Sequence, residues 1–210
     1  MEIHCKTLQE QHIEPAFEIA AKVFCSSSTI HRTLAVELNE YKNYLRPSFS
    51  DIAREGLSVC AIETVSNKIL GCLMVTDFMK YIYSFNNKSS NSLAPIVAIT
   101  ENLCRKYTKK QRLHIGEFAF VDMGAVDQNF CGRGIYQAMR KYAHDLVKLN
   151  GFSYIVGELS SLETQYVILR KFQHKKVAEI VFKDFVFDGT KPFIKIKNPR
   201  SIILSEGKVT

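Results

Sequence analysis

Residues 114–157 constrain the fold more than any other part of the chain. His114–Val126 is a long run with strand character, a short loop follows, and Gly134–Leu149 is an amphipathic helix. Ile135, Met139, Tyr142, Ala143, Leu146 and Leu149 fall on one face of that helix, with Arg140, Lys141, Asp145 and Lys148 opposite. Asn150-Gly151 ends it, and Phe152–Gly157 is a compact apolar strand. A strand, a crossover helix and a second strand are how parallel neighbours are joined, so at least two strands of one sheet are expected to run parallel.

The flanking segments fit around that unit. Residues 2–7 read as a short strand, and 14–25 as a helix with Pro15 near its start. A second helix is expected over 33–46, ended by Pro47, with a short helix carrying Phe49, Ile52 and Ala53 up to Gly56. Leu57–Glu63 and Ile69–Thr76 read as a hairpin turning at Ser66-Asn67. Asn86–Asn91 reads as a loop, and Pro95 opens a helix bearing Ile96, Ile99, Leu103 and Tyr107. Beyond residue 157 the pattern predicts a helix over Leu162–Phe172, a strand over Val177–Phe187, a turn at Asp188-Gly189, and return strands at Pro192–Ile196 and Ile202–Leu204. The fold class is therefore mixed α/β (α+β). With 210 residues, no repeats and no linker, a single domain over 1–210 is expected.

Six cysteines stand at positions 5, 25, 60, 72, 104 and 131, with no CxxC pair and no His–Cys metal spacing. Reduced thiols, no metal and a cytoplasmic location are the expectation, because Met1–Thr7 is polar and lacks a leader's apolar core. No apolar run reaches bilayer length, so no membrane partner is expected. The net charge is +7, but the lysines and arginines are scattered and no run reaches five like charges. Nucleic acid is accordingly not expected as a partner. His144 reads as solvated on its helix, and His4, His12 and His31 as lone structural histidines.

The chemistry concentrates in Val126-Asp-Gln-Asn-Phe-Cys-Gly-Arg-Gly-Ile-Tyr136. Free N–H groups at a helix N-terminus favour an anion. Gly132 and Gly134 let the backbone approach it closely, and Arg133 adds a cation. A bare Gly-x-Gly turn holding no ligand is the simplest alternative. A P-loop would need Lys-Ser/Thr where Ile135-Tyr136 stands. A dinucleotide fingerprint would need Gly or Ala at Gln137 and a shorter approach than the five residues between Val126 and Gly132, although Glu158 mimics its ribose-binding acid.

The segment resembles the acetyl-coenzyme A motif of the GCN5-related N-acetyltransferases (GNAT), Val-x-x-x-x-Arg/Gln-Gly-x-Gly-x-Gly/Ala. Val126, Gly132, Gly134 and the apolar Ile135 match, whereas Cys131 replaces Arg/Gln and Tyr136 replaces the small residue. The order of elements is similar over nearly the whole chain. In the tail, Thr164-Gln165, Lys183-Asp184-Phe185, Asp188-Gly189 and Pro192-Phe193 echo one branch of the family. Gly56-Leu57-Ser58 and Ile69-Leu70-Gly71 more loosely resemble arylalkylamine N-acetyltransferases.

The resemblance implies a single GNAT-like domain with a mixed central sheet, a splayed pair of parallel strands and helices on both faces. It implies an acetyl-CoA-binding core at 114–172 and an acceptor-side insertion at 77–112. Acetyl-CoA would be held by Cys131, Gly132, Arg133, Gly134, Ile135, Tyr136 and Gln165, with the pantetheine arm along Gly124, Ala125 and Val126. A small-molecule primary amine would be acetylated, by a monomer or a homodimer. A protein lysine or N-terminal acetyltransferase and a non-catalytic acyl-CoA binder are the alternatives.

Acetyl transfer needs a base for the ammonium and a proton for the leaving thiolate. Family members place the base on the strand leading to the cradle, an even number of residues before the valine. Side chains alternate along a strand, so Asp122 is the first candidate; His114 shares its parity, and Glu117 competes if a bulge shifts the register. The Glu-Pro-Leu of the insect enzymes falls on Ser28-Thr29-Ile30, and the tyrosine acid of the last helix falls on Leu169, with Gln173-His174 in place of the following Gly-Phe. That leaves Ser161, Tyr166, water or no group at all to protonate the thiolate.

Overall fold

The computed structural model describes residues 2–84 and 92–209, so the loop expected at 86–91 lies outside the described residues. Among the described residues seven strands form one sheet in the order β1-β2-β3-β4-β5-β7-β6. They are β1 (Ile3–Thr7), β2 (Val59–Glu63), β3 (Ile69–Asp77), β4 (Phe118–Val126), β5 (Tyr154–Leu159), β6 (Lys175–Val181) and β7 (Ser201–Lys208). Only β4 and β5 are parallel, joined by helix α6 (Ile135–Leu149); every other pairing is antiparallel. The crossover read from residues 114–157 is thus the parallel centre of a mixed sheet.

Alternation along the strands divides the core between two faces. On one face, Cys60, Ile62, Cys72, Met74, Met123 and Ala125 pack under α1 (Glu10–Ser27) and α3 (Leu38–Arg54). Further along it, Phe118, Phe120, Val156, Ile202 and Leu204 lie under α5 (Ala94–Thr108). The short helices α2 (Thr29–Thr33) and α4 (Phe78–Ser84) also pack on this side, through Ile30 and Phe78. On the opposite face, Ile135, Met139, Ala143 and Val147 of α6 cover Ala61, Leu70, Leu73, Val75, Ala119, Val121 and Ile155. Helix α7 (Leu162–Tyr166) continues as a π-turn over Val167–Lys171 and brings Ile168 onto Leu159 and Ile203.

The expected break at Pro47 is absent: α3 runs unbroken from Leu38 to Arg54. Tyr41, Leu45, Phe49 and Ile52 form one buried stripe, whereas Pro47 and Asn43 face solvent. Water can therefore satisfy the Asn43 carbonyl that the proline leaves without a donor. The tail also differs from expectation. Strand β6 ends at Val181 in a 3₁₀ turn, and Pro192–Ile196 forms no strand. Its Phe193 instead turns inward onto Phe182 and Phe185, with ring centroids 5.9 and 5.7 Å away, so burial of an aromatic mimicked strand alternation.

Candidate active site

Strands β4 and β5 pair from Phe118↔Tyr154 to Val121↔Gly157 and then part. Beyond that point Glu158 and Leu159 pair with β7, while Gly124–Val126 pair only with β3. The divergence begins at a bulge: Met74 faces Met123 and Val75 faces Val121, so Asp122 is the extra residue on β4. A bulge bends its strand and re-aims a side chain. Here it leaves Asp122 on the face covered by α1, α3 and α5, the side also occupied by Phe120. Glu158 shares the parity of Val156 and comes to the same side of the gap from β5.

Two carboxylates therefore meet across the parting strands. Thr100 Oγ1 donates to Glu158 Oε2 at 3.1 Å, and Cys104 Sγ lies 3.8 Å from Oε1. Tyr81 hydroxyl donates to Asp122. Burial pushes the Asp122 carboxyl up to about 6, and the Tyr81 bond pulls in the other direction. Burial, then the charge of Asp122, pushes Glu158 up to about 8, with the Thr100 and Cys104 bonds opposing. Both residues are half-buried. Both carboxyls are thus held above the ordinary carboxylate range, Glu158 further than Asp122 because it is buried beside the Asp122 charge.

Aromatic rings wall this side of the gap. Tyr81 stacks on Phe120 with centroids 4.0 Å apart, and Tyr41 stacks on Tyr44 at 6.4 Å. Burial, reinforced by the charges of Asp122 and Glu158, raises the Tyr44 phenol to about 12. Tyr44 therefore feels both acids while it is 40% exposed.

The Gly-rich loop lies at the outer end of β4. Asp127 Oδ1 accepts from the Asn129 N–H at 3.0 Å and ties down a 3₁₀ turn at Gln128–Phe130. Gly132 and Gly134 both take left-handed backbone, with φ of +76° and +74°, and a Cβ on either would meet nothing nearby. The glycines are thus demanded by conformation rather than by crowding. Gly134 starts α6 without a side-chain cap, which leaves first-turn N–H groups to face an anion. Arg133 and Lys68 each lie over the Phe130 ring, at 5.4 and 5.3 Å from its centroid, and bring positive charge to the rim.

The other expected cofactor residues fall as follows. Gly124, Ala125 and Val126 lie on the stretch of β4 with no β5 partner, so one backbone edge faces the gap. Cys131 is exposed on the loop, its Sγ 3.8 Å from the Asp127 carbonyl oxygen. Ile135 is buried beneath the sheet, and Tyr136 lies against Gly124. Gln165 Nε2 donates to the carbonyls of Leu159 at 3.2 Å and Ser201 at 2.9 Å, so its amide ties α7 to the ends of β5 and β7.

Two of the three catalytic candidates are not brought together with Asp122. Glu117 precedes the paired stretch of β4, about 16 Å from Asp122 at about 3.3 Å per residue. Its carbonyl accepts from the N–H groups of Ser153 and Tyr154 at the closed end of the gap. The bulge at Asp122 lies between Glu117 and Val126, so it shifts the count and gives Glu117 the parity of Ala119, Val121 and Val126, but Glu117 stands ahead of β4, at the end where the two strands are still paired. Ser161 caps α7: its Oγ accepts from the Thr164 N–H at 3.1 Å in a reciprocal capping box. Tyr166 is 58% exposed.

Two residues of α6 also depart from the sequence-based reading. Arg140, assigned to a polar face, is only 1% exposed, and His144 packs against His174 with Nε2 atoms 3.0 Å apart. The segment carrying His174 covers that face of the helix, so charge pattern misled the assignment.

The fold is that of the GCN5-related N-acetyltransferases. Solved structures with matching folds include the C-terminal condensation domain of Ebony in complex with beta-alanyl-dopamine, at 15% identity and TM-score 0.85, covering 99% of both chains. A mosquito arylalkylamine N-acetyltransferase-like 5b matches at 17% identity and TM-score 0.82, covering 99% of this chain and 100% of that one. A Drosophila melanogaster polyamine N-acetyltransferase that catalyses the formation of N-acetylagmatine matches at 9% identity and TM-score 0.76, again over 99% and 100%. No family sequence model and no curated protein sequence matches the chain. The bulged β4, the parting of β4 from β5 and the glycine-rich start of α6 give this GNAT fold its gap. Among the described residues no helix is long and apolar enough to cross a membrane, and no group of His, Cys, Asp and Glu could hold a metal.

Proposed function

We propose that this chain transfers an acetyl group from acetyl-CoA to the primary amine of a small molecule. The observation that carries this reading is the Asp122–Glu158 pair, two carboxyls held above the ordinary range on one side of a strand gap that leads to an uncapped, glycine-rich helix start. The donor set fits the cofactor. Backbone N–H groups at Gly132–Tyr136, with Arg133 and Lys68 at the rim, suit a pyrophosphate. The open edge of Gly124–Val126 suits an amide-bearing arm. The cofactor would supply an activated acyl thioester.

The chain's own residues would then act as follows. Asp122 pairs with the incoming ammonium and takes one proton from it; Glu158, its carboxyl raised to about 8, would stay protonated and leave the pair with a single negative charge. Thr100 and Cys104 hold Glu158, and Tyr81 holds Asp122. Tyr41, Tyr44 and Tyr81 flank the body of the amine and limit water around it. Asp122 is the base in this scheme; Glu117 and Ser161 have no proton to move at this position. An acceptor with an aromatic or extended aliphatic body suits these walls, in keeping with the dopamine and agmatine derivatives of the Ebony and Drosophila proteins.

Thermal unfolding with acetyl-CoA, coenzyme A and NADH tests the cofactor, since a ligand bound only by the folded state raises stability in proportion to the logarithm of its concentration. Both coenzyme A forms should raise the midpoint and NADH should not. Release of free thiol from acetyl-CoA in the presence of arylalkylamines or agmatine then tests the reaction. A shift with NADH alone, or no amine-dependent release from a chain that binds acetyl-CoA, would overturn the reading.

A further inference from the structure

The face of the gap opposite the acid pair carries a phenol and a buried cation. Tyr136, on the first turn of α6, lies against Gly124: a Cβ on that glycine would stand 2.7 Å from Tyr136 Cε2. The same side chain packs with the cluster of Leu159, Ile168 and Ile203, so its ring reaches from unpaired β4 toward β5 and α7. One turn further along α6, Arg140 is 1% exposed, and its Nε and Nη2 have no hydrogen-bond partner. Arg140 Nη1 lies 3.6 Å from where a Cβ on Gly157 would be, beside Val121. Val121 and Gly157 are the last pair before the strands part, so the guanidinium sits at the apex of the gap.

A fully buried cation with two unused donors is costly unless an anion comes to it. An arginine keeps its charge when buried. The titratable groups packed around it supply no counter-charge. Burial, aided by the charge on Arg140, holds His144 down to about 4 and His174 to about 2, so both are neutral. Tyr136 is the remaining titratable group near it; Asp145 bears on His144 from the outer side of α6, and Asp122 and Glu158 lie on the other face of the sheet.

We infer that Tyr136 is the acid of the acetyl transfer proposed above, giving its Oη proton to the departing thiolate over the Arg140 guanidinium. The two faces of the gap then have opposite tasks. Asp122 takes one proton from the ammonium and releases it to solvent. The amine nitrogen forms its bond to the acyl carbon as the carbon–sulfur bond breaks, its electron pair leaving on sulfur. Sulfur takes the Tyr136 proton, and Asp122 takes the second nitrogen proton. Arg140 holds the phenolate until that second proton returns to Tyr136 through solvent, so one proton is released per turnover. Tyr136 thereby fills the role left open by Leu169, and its bulk in a position usually held by a small residue acquires a chemical reason.

The inference rests on the proposed acetyl transfer, and Tyr136→Phe separates the two because it keeps the ring and removes only the hydroxyl. Calorimetric titration with coenzyme A and with S-methyl-coenzyme A, at about pH 6.5 and about pH 8.5, reads thiolate stabilisation without turnover. The wild-type chain should bind coenzyme A about tenfold more tightly at the higher pH, as expected for a hydrogen bond to a charged group, and S-methyl-coenzyme A equally at both. In Y136F that pH preference should disappear and kcat should fall by about a hundredfold or more. A wild-type chain that turns over, with Y136F matching it in kcat and in the pH dependence of coenzyme A binding, would overturn the role of Tyr136 alone. A wild-type chain that neither binds coenzyme A nor releases thiol would overturn the proposed function, and this inference with it.

Discussion

Replacing Glu158 by Gln should make the chain more stable, and increasingly so as pH rises. Glu158 has its carboxyl raised from an ordinary 4.5 to about 8, so the folded chain holds that proton more tightly than the unfolded chain does. The stability this confers is complete below about 4.5 and is lost as pH rises through about 8. At about 1.4 kcal/mol per pH unit the loss amounts to about 5 kcal/mol, or about 2 kcal/mol if water in the open gap screens much of the charge. The substituted amide would keep an oxygen for the Thr100 hydroxyl and carry no charge. Urea unfolding of E158Q and wild type should therefore give similar stabilities near about pH 4.5 and diverge by about 2–5 kcal/mol near about pH 8.5. Two pH profiles that run parallel would show that Glu158 ionises freely in the folded chain, and would remove its raised carboxyl from the account.

Three further outcomes follow from the same geometry. Gly124→Ala should destabilise the fold by about 1–3 kcal/mol in thermal or urea unfolding, because its Cβ would meet Tyr136 Cε2 at 2.7 Å and Leu73 Cδ1 at 2.9 Å. Gly134→Ala should cost about 1–2 kcal/mol of stability by forcing alanine to φ +74°, and should weaken acetyl-CoA binding in a calorimetric titration. The pH profile of kcat/KM should rise through about 6 as Asp122 ionises, and Tyr81→Phe should move that limb upward by removing the bond that favours the carboxylate.

The parallel crossover and the glycine-rich helix start were legible because both are written in contiguous residues: Gly132 and Gly134 need left-handed backbone whatever surrounds them. Strand alternation from Val126 singled out Asp122, but the count itself fails, because the bulge puts Asp122 on the side of Phe120 and Met123, opposite Val126. The residue reaches the gap face because a bulged residue and its neighbour, here Met123, share a side. Glu158 stood out in the sequence only as a mimic of a ribose-binding acid. Its pairing with Asp122 depends on how two distant strands diverge, which no local pattern encodes. Arg140 was hidden for a related reason. Helical periodicity gives an angle around the axis but not what covers it, and the return of the chain through His174 turns a charged face into an interior one. The supporting side chains Thr100, Cys104 and Tyr81 come from α4 and α5, whose sequence signals report only helix.

Mass-spectrometric detection of the amine product, with wild type and Asp122→Asn side by side, tests the central claim most directly. Incubated with acetyl-CoA and a panel of arylalkylamines and agmatine at neutral pH, the wild-type chain should yield an amine heavier by one acetyl group, with free thiol released in equal amount. D122N should bind acetyl-CoA as tightly and form that product at least about a hundredfold more slowly. A folded wild-type chain that binds acetyl-CoA and acetylates none of these amines, or a D122N chain that matches wild type in rate, would contradict the account.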